Sequence, residues 1–292
     1  MAQRNQQIFP QSIQTEMSNL EVRSQPGNPD LLTLWVDGVE SSAIKLSDAH
    51  FLEFEYMEHI RIAIDSMYAQ CAPLKVLHLG GGGCALARAL HADRPKSRQL
   101  AIEIDPQLAE FARLWFDLPR SPSLRIRSQD ARITLDTNQG RWDVIIRDAF
   151  SQGQVPDPLR TVEAHQRAQS MLGDDGLYCL NIAGSKGLAQ FFEEVQAVAQ
   201  SFKHLAAISD PAIFKNRRFG NIVLLASNRE IDTDEISRQV RKLPLPTSVI
   251  TEAVLDRGAQ SAKALTDADI GWLPSPRSGT ANNTSSSDLS GE

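Results

Sequence analysis

The sequence predicts an α/β protein: a doubly wound, mostly parallel sheet that ends in an antiparallel hairpin and is preceded by a small N-terminal β element. Three observations carry this. From about residue 75 to residue 201, apolar runs of strand length alternate with stretches of helical spacing, the pattern of repeated β-α-β units. The run VLHL (76–79) stops on four consecutive glycines, Gly80 to Gly83, and apolar residues resume at helical spacing from Ala85, which reads as strand, glycine turn, helix. Two later strand-like runs, 203–208 and 221–227, have no helix pattern between them and predict a hairpin at the sheet edge.

Residues 1–30 read as a polar lead-in with a turn at QPGNPD. Residues 31–70 form the small β element plus a helix: LLTLWVDGVESSAIKL is two strands joined at Asp37-Gly38, and Phe51, Phe54, Met57, Ile60 and Ile64 give His50 to Met67 helical spacing. Residues 71–230 are the main domain, with strands over 75–79, 99–104, 124–127, 142–147 and 177–182 ahead of the terminal pair. Helices fall over 85–92, 106–116, 131–136, 162–172 and 188–201. Residues 231–273 read as a helical extension. The tail 274–292, PSPRSGTANNTSSSDLSGE, is too rich in Ser, Thr, Asn and Gly to build a core and is expected to be disordered.

Composition narrows the function. A chain of 292 residues with 41% apolar and 23% charged residues is that of an ordinary globular protein. A net charge of −6 argues against a nucleic-acid partner held by phosphate neutralisation. Cys71, Cys84 and Cys179 are too few and too scattered for a disulfide framework or a zinc site, which suits a reducing compartment. No apolar stretch approaches membrane-span length and the N-terminus lacks an apolar signal core, so the expected setting is the cytoplasm, without membrane partners.

In a doubly wound sheet, ligands lie at the carboxyl ends of the strands. Four successive strand ends here carry glycine or acid: Gly80, Gly81 and Gly82 after the first, Glu103 and Asp105 after the second, Asp130 with Ala131 after the third, Asp148 after the fourth. The glycine turn lets a ligand lie against bare backbone near the amides that open a helix. Glu103, some 20 residues beyond it, stands where an acid accepts hydrogen bonds from ribose hydroxyls. Asp130 either caps the next helix or, with Ala131, faces an adenine. The loop also satisfies a dinucleotide fingerprint, but an acidic site suits a cationic sulfonium carrying adenosine better than a pyrophosphate. The terminal hairpin is the usual ending of a Rossmann-like, S-adenosylmethionine-methyltransferase-type sheet. Arg147 points opposite to Asp148 by strand alternation, and a helix carboxylate is its expected partner. His78 reads as a core residue, the six histidines share no metal-ligand spacing, and no metal is expected.

At this point the chain resembles the spermidine synthases, polyamine aminopropyltransferases, in a divergent bacterial branch of synthase-like proteins. The resemblance runs through LWVDGVESS, LEFEYME, VLHLGGGG, LAIEID, SQDAR, RWDVIIRDAF, DDGLYCLNIAG and FGNIVLLAS, in order and spacing. It implies that Glu103 binds the ribose, Asp130 and Ala131 the adenine, and Gly80 to Gly82 the adenosyl and sulfonium region, while Asp148 and Tyr56 face a small-molecule amine. The co-substrate would be decarboxylated S-adenosylmethionine or S-adenosylmethionine itself, and a homodimer is a possible assembly. The chain departs from the family pattern at Gly83, where the family has an aspartate, at Ser151 in place of a second acid, at Ser41 in place of a glutamine, and at Met57. Three readings therefore stand side by side: an aminopropyltransferase acting on a polyamine such as putrescine, a methyltransferase using intact S-adenosylmethionine, and a protein that holds an adenosyl ligand without turnover. Glu55, Glu58 and Asp157 are further candidate acids at the amine end.

Overall fold

The computed structural model describes residues 11–184 and 187–273. It begins with β1 (Gln11–Gln14), β2 (Asn19–Gln25), β3 (Asn28–Val36) and β4 (Val39–Lys45), paired antiparallel in chain order. The β3–β4 turn is Asp37-Gly38, both at positive φ. Two of these strands, β1 and β2, lie inside residues 1–30, where the sequence predicts a polar segment and a turn but no strand. Leu20 and Val22 alternate inward along β2 and are fully buried, and each such side chain contributes roughly 1.5–3 kcal/mol. Residues 1–10 and the tail 274–292 lie outside the described residues.

α1 (Glu55–Met67) starts later than the apolar spacing from His50 suggested. Strands and helices then alternate: β5 (Lys75–Leu79), α2 (Ala85–Asp93), β6 (Arg98–Glu103), α3 (Pro106–Trp115), β7 (Leu124–Ser128), α4 (Ala131–Thr137) and β8 (Trp142–Arg147). α5 (Val162–Met171), β9 (Leu172–Gly184) and α6 (Ala189–Ala199) follow. β9 starts earlier than expected, with a register shift between Trp142 and Val144 of its partner β8. β10 (His204–Ser209) and β11 (Gly220–Ser227) close the main domain as an antiparallel pair, but the link between them, expected to hold no helix, contains the one-turn α7 (Pro211–Phe214), which Asp210 caps and Pro211 opens.

The extension holds α8 (Thr233–Val240), β12 (Ser248–Ile250), α9 (Glu252–Ala259) and α10 (Asp267–Ile270). It is therefore not wholly helical. β12 pairs antiparallel with β10 and covers an edge that would otherwise be open.

The eight-stranded sheet runs β12-β10-β11-β9-β8-β5-β6-β7, parallel from β9 to β7 and antiparallel beyond β9. The chain reverses its direction of travel between β5 and β8, so a cleft opens at their carboxyl ends. Strand alternation builds a core on each face: Val76, Val144 and Ile146 pack with α1, α2 and the N-terminal sheet, while Leu77, Leu79 and Ile145 pack with α5 and α6. His78 is buried against Gln99, its Nε2 2.9 Å from Oε1, as a core histidine should be. Arg147 is fully buried with Nη1 2.7 Å from Glu194 Oε2 on α6, the helix carboxylate that strand alternation called for.

Candidate active site

The glycine turn is shaped by close approach. Gly80 has φ +101°, and a Cβ there would lie 2.2 Å from the Asp148 carbonyl oxygen, so the ends of β5 and β8 can meet only with glycine in that place. Gly81 packs against the Glu103 side chain, and at Gly82, with φ +46°, a Cβ would make only ordinary contact with the Ser41 carbonyl oxygen of β4 at 3.8 Å. Gly83 is different. A Cβ on it would lie 2.7 Å from both Cβ and Oγ of Ser42 and 3.1 Å from Phe116 Cε2. Ser42 occupies the space that a side chain at position 83 would need.

Glu103, at the end of β6, turns back onto this loop. Its Oε2 accepts from the Gly82 amide at 2.8 Å and the Gly81 amide at 3.2 Å, while Oε1 accepts from the Asp105 amide at 3.1 Å. Burial pushes its pKa up, opposed by those three amides. Asp105 caps α3 through the Gln107 and Leu108 amides, and its other oxygen accepts from Thr15 and Ser18 at 2.7 and 2.8 Å. The loop between β1 and β2 is thereby fixed at the cleft mouth. Asp130 caps α4 through the Ile133 amide at 2.9 Å, and Ala131 opens that helix.

At the other end of the cleft, Asp148 follows β8. The Tyr56 hydroxyl donates to its Oδ2 at 2.9 Å and Asn181 Nδ2 donates to its Oδ1 at 2.8 Å. Burial raises the Asp148 pKa above the ordinary carboxylate value, while the Asn181 and Tyr56 donors and the nearby Arg147 charge pull it down. Tyr56 is held protonated, its pKa driven up by burial and by the Asp148 charge. Asn181 is the residue that sequence reasoning missed. Its one signal is a polar side chain inside the apolar run LYCLNIAG of a central strand.

Gly80, Gly81, Gly82, Glu103, Asp130, Ala131, Tyr56, Asp148 and Asn181 all line one cleft of about 1180 Å³. The other candidate acids do not join them. Glu58 pairs with Arg61 at 2.6 Å and Asp157 with Arg160 at 2.7 Å, and Glu55 lies 3.8 Å from Arg218. Among the described residues no group of three or more His, Cys, Asp or Glu is placed to hold a metal ion.

No family model matches the chain. A probable spermidine synthase from Corynebacterium glutamicum superposes with a TM-score of 0.84 at 32% identity, covering 89% of this chain and 97% of that one. The polyamine aminopropyltransferase of Neisseria meningitidis is 26% identical over 225 residues, 75% of this chain and 81% of its own length. The mouse eEF1A lysine and N-terminal methyltransferase matches a shorter span, 32% identical over 120 residues, 38% of this chain and 17% of its own. Together with the glycine turn, the acid after each successive strand and the antiparallel sheet ending, the near full-length match establishes that the chain belongs to the spermidine synthase, or polyamine aminopropyltransferase, family.

Proposed function

We propose that this chain is an aminopropyltransferase that moves an aminopropyl group from decarboxylated S-adenosylmethionine to a small primary amine of the polyamine class, of which putrescine is the simplest. The observation that carries the reading is the Tyr56–Asp148–Asn181 arrangement in the same cleft as the glycine turn and Glu103. Glu103 holds the ribose, Asp130 and Ala131 meet the adenine, and Gly80 to Gly82 pass the sulfonium end toward Asp148. An acceptor amine has a pKa near the lysine value of about 10.4, so it arrives protonated and must lose a proton before it can attack. Asp148 takes that proton. The freed nitrogen forms a C–N bond to the carbon beside the sulfonium, the C–S bond breaks, and methylthioadenosine leaves with the electron pair on sulfur. Tyr56 and Asn181 hold the carboxylate in place.

Purified protein is expected to bind methylthioadenosine, because the proposed adenosyl-facing residues share one cleft. No heat in a calorimetric titration at millimolar ligand would overturn the adenosyl reading. Turnover is tested by a panel of putrescine, cadaverine, spermidine and agmatine, each with decarboxylated and intact S-adenosylmethionine, read by mass spectrometry. An added aminopropyl group supports the proposal, and an added methyl group supports the methyltransferase reading. We further propose a cytoplasmic homodimer on the family resemblance. Sedimentation velocity showing only the 32.2 kDa monomer would overturn the dimer.

Gly83 bears on the donor. The aspartate that the resemblance places there would attract the ammonium of the decarboxylated donor and repel the carboxylate of the intact one. Without it, the two donors are expected to bind within about tenfold of each other. Gly83→Asp alone should lower the melting temperature, because the new side chain meets Ser42 at 2.7 Å. The double variant Gly83→Asp with Ser42→Gly removes the two closest obstacles, leaves only the Phe116 ring edge at 3.1 Å to give way, and is expected to favour the decarboxylated donor by more than about tenfold. A hundredfold preference in the unmodified protein would mean that another acid holds the ammonium.

A further inference from the structure

The side chain two positions after Asp130 is Arg132, which is 2% exposed although it lines the cleft. Its guanidinium is the hub of a closed network. Nη1 donates to the Pro158 carbonyl at 2.7 Å, to Thr161 Oγ1 at 3.0 Å and to Asp267 Oδ1 at 2.7 Å, while Nη2 donates to Asp267 Oδ2 and Nε to Asp136 at 3.2 Å. The Asp267 pair is bidentate, the geometry that makes arginine–carboxylate contacts both strong and directional. Trp272 covers the network: the Arg132 guanidinium carbon lies 5.1 Å from its ring centroid, and its Nε1 donates to Asp136 at 3.2 Å. Arg167 approaches Asp136 at 3.8 Å and brings a second cation to the network.

Asp267 and Trp272 belong to the last described stretch of the chain, about 135 residues after the arginine they hold. That stretch is also joined to the start of α5. The Val162 amide donates to the Leu265 carbonyl at 2.9 Å, and the Asp267 amide donates to Glu163 Oε2 at 2.8 Å. Thr266 anchors α10 with a capping box against Asp269. Asp130, Ala131, Pro156, Pro158 and Leu159 all line the cleft, and Arg132 ties the helix that carries the first two to the segment that carries the others. One wall of the proposed adenine site is thus held from behind by residues from the far end of the chain.

We infer that the segment from Leu265 to Trp272 is a clamp on the adenosyl site, with Arg132 and Asp267 as positioning residues that set the separation of α4 from the 156–161 segment. The inference rests on the placement of adenine at Asp130 and Ala131. Docking of the clamp and binding of the adenosyl ligand are then one linked equilibrium, and each strengthens the other by the same factor.

The test uses the full chain. Asp267→Asn keeps the shape and removes the charge, and Trp272→Leu removes the cover while leaving the Arg132–Asp267 pair in place. Both are expected to weaken methylthioadenosine binding by at least about fivefold, within the range usual for coupled sites. Turnover at saturating donor should change much less, so the loss appears in KM rather than kcat. In the unmodified protein, methylthioadenosine should slow exchange of those amides across 265–272 that open locally, ahead of global unfolding, a remote effect that a brace uncoupled from the site would not give. Unchanged ligand affinity in both variants, or ligand-independent exchange in that segment, overturns the clamp. Should Asp267→Asn fail to fold, Trp272→Leu and the exchange measurement decide. Failure of the unmodified protein to bind methylthioadenosine refutes instead the adenosyl reading, and the clamp falls with it.

Discussion

Asp148→Asn is expected to lower kcat by about 10²- to 10⁴-fold, the range over which a positioned general base contributes, while methylthioadenosine still binds. The amide has the size of the carboxylate and can keep one acceptor toward Asn181 while its NH₂ donates to the Tyr56 hydroxyl, which can accept as well as donate, but it cannot take a proton from an ammonium. The two donors on Asp148, Tyr56 Oη at 2.9 Å and Asn181 Nδ2 at 2.8 Å, also make a prediction about pH. Burial raises the pKa of Asp148, and both donors oppose that rise by stabilising the charged form. The base works only when deprotonated, so the rate falls as pH drops through this raised pKa. Removing a donor removes stabilisation of the carboxylate and raises the pKa further. Tyr56→Phe should therefore shift the acid limb of the kcat/KM profile to higher pH, with a smaller loss on the plateau than Asp148→Asn. A limb that stays in place or moves to lower pH would show that Asp148 is not the titrating group. Equal activity of Asp148→Asn and the parent would remove it from the mechanism.

What could be read in the sequence divides along a physical line. Strand and helix periods are local, and so is the rule that a cleft opens at strand ends beside a switch point, so the positions of the glycine turn, Glu103, Asp130 and Asp148 along one cleft follow from the sequence. Alternation along β8 also separated Arg147 from Asp148 and required a buried partner for the arginine, which Glu194 supplies. Contacts between distant segments could not be read in this way. Asn181 reaches Asp148 across neighbouring strands, Thr15 and Ser18 reach Asp105 from about 90 residues away, and Ser42 fills the space above Gly83. β1 and β2 were hidden for another reason. Only Leu20 and Val22 mark the inward face of β2, and a two-residue alternation among polar neighbours is too short to stand out. β12 is a three-residue edge strand whose pairing depends on β10 being beside it.

Glu103→Ala is expected to weaken methylthioadenosine binding by ten- to about 100-fold, since hydrogen bonds to a charged acceptor contribute roughly 1.5–3 kcal/mol and 1.4 kcal/mol is a factor of ten. The structure complicates this simple expectation, because the same carboxylate already accepts from the Gly81, Gly82 and Asp105 amides. Alanine removes both the proposed ribose acceptor and the brace on the glycine turn, and affinity alone would not separate the two losses. Glu103→Gln is no cleaner. Both carboxylate oxygens accept from backbone amides, so a glutamine must aim its NH₂ at a donor whichever way it is turned. The separation comes from the ligand. With the unmodified protein, a 2′-deoxy analogue of methylthioadenosine should bind more weakly than the parent ligand, because one hydroxyl no longer donates to Glu103. With Glu103→Ala the two ligands should bind equally, since the acceptor that told them apart is gone. If the variant still prefers the 2′-hydroxyl by the parent factor, Glu103 serves only to brace the glycine turn, and the ribose is held by another group in the cleft. If affinity for both ligands falls together and the preference vanishes, the carboxylate does both, and the acid that pins the turn before the ligand arrives is the one that receives the ribose.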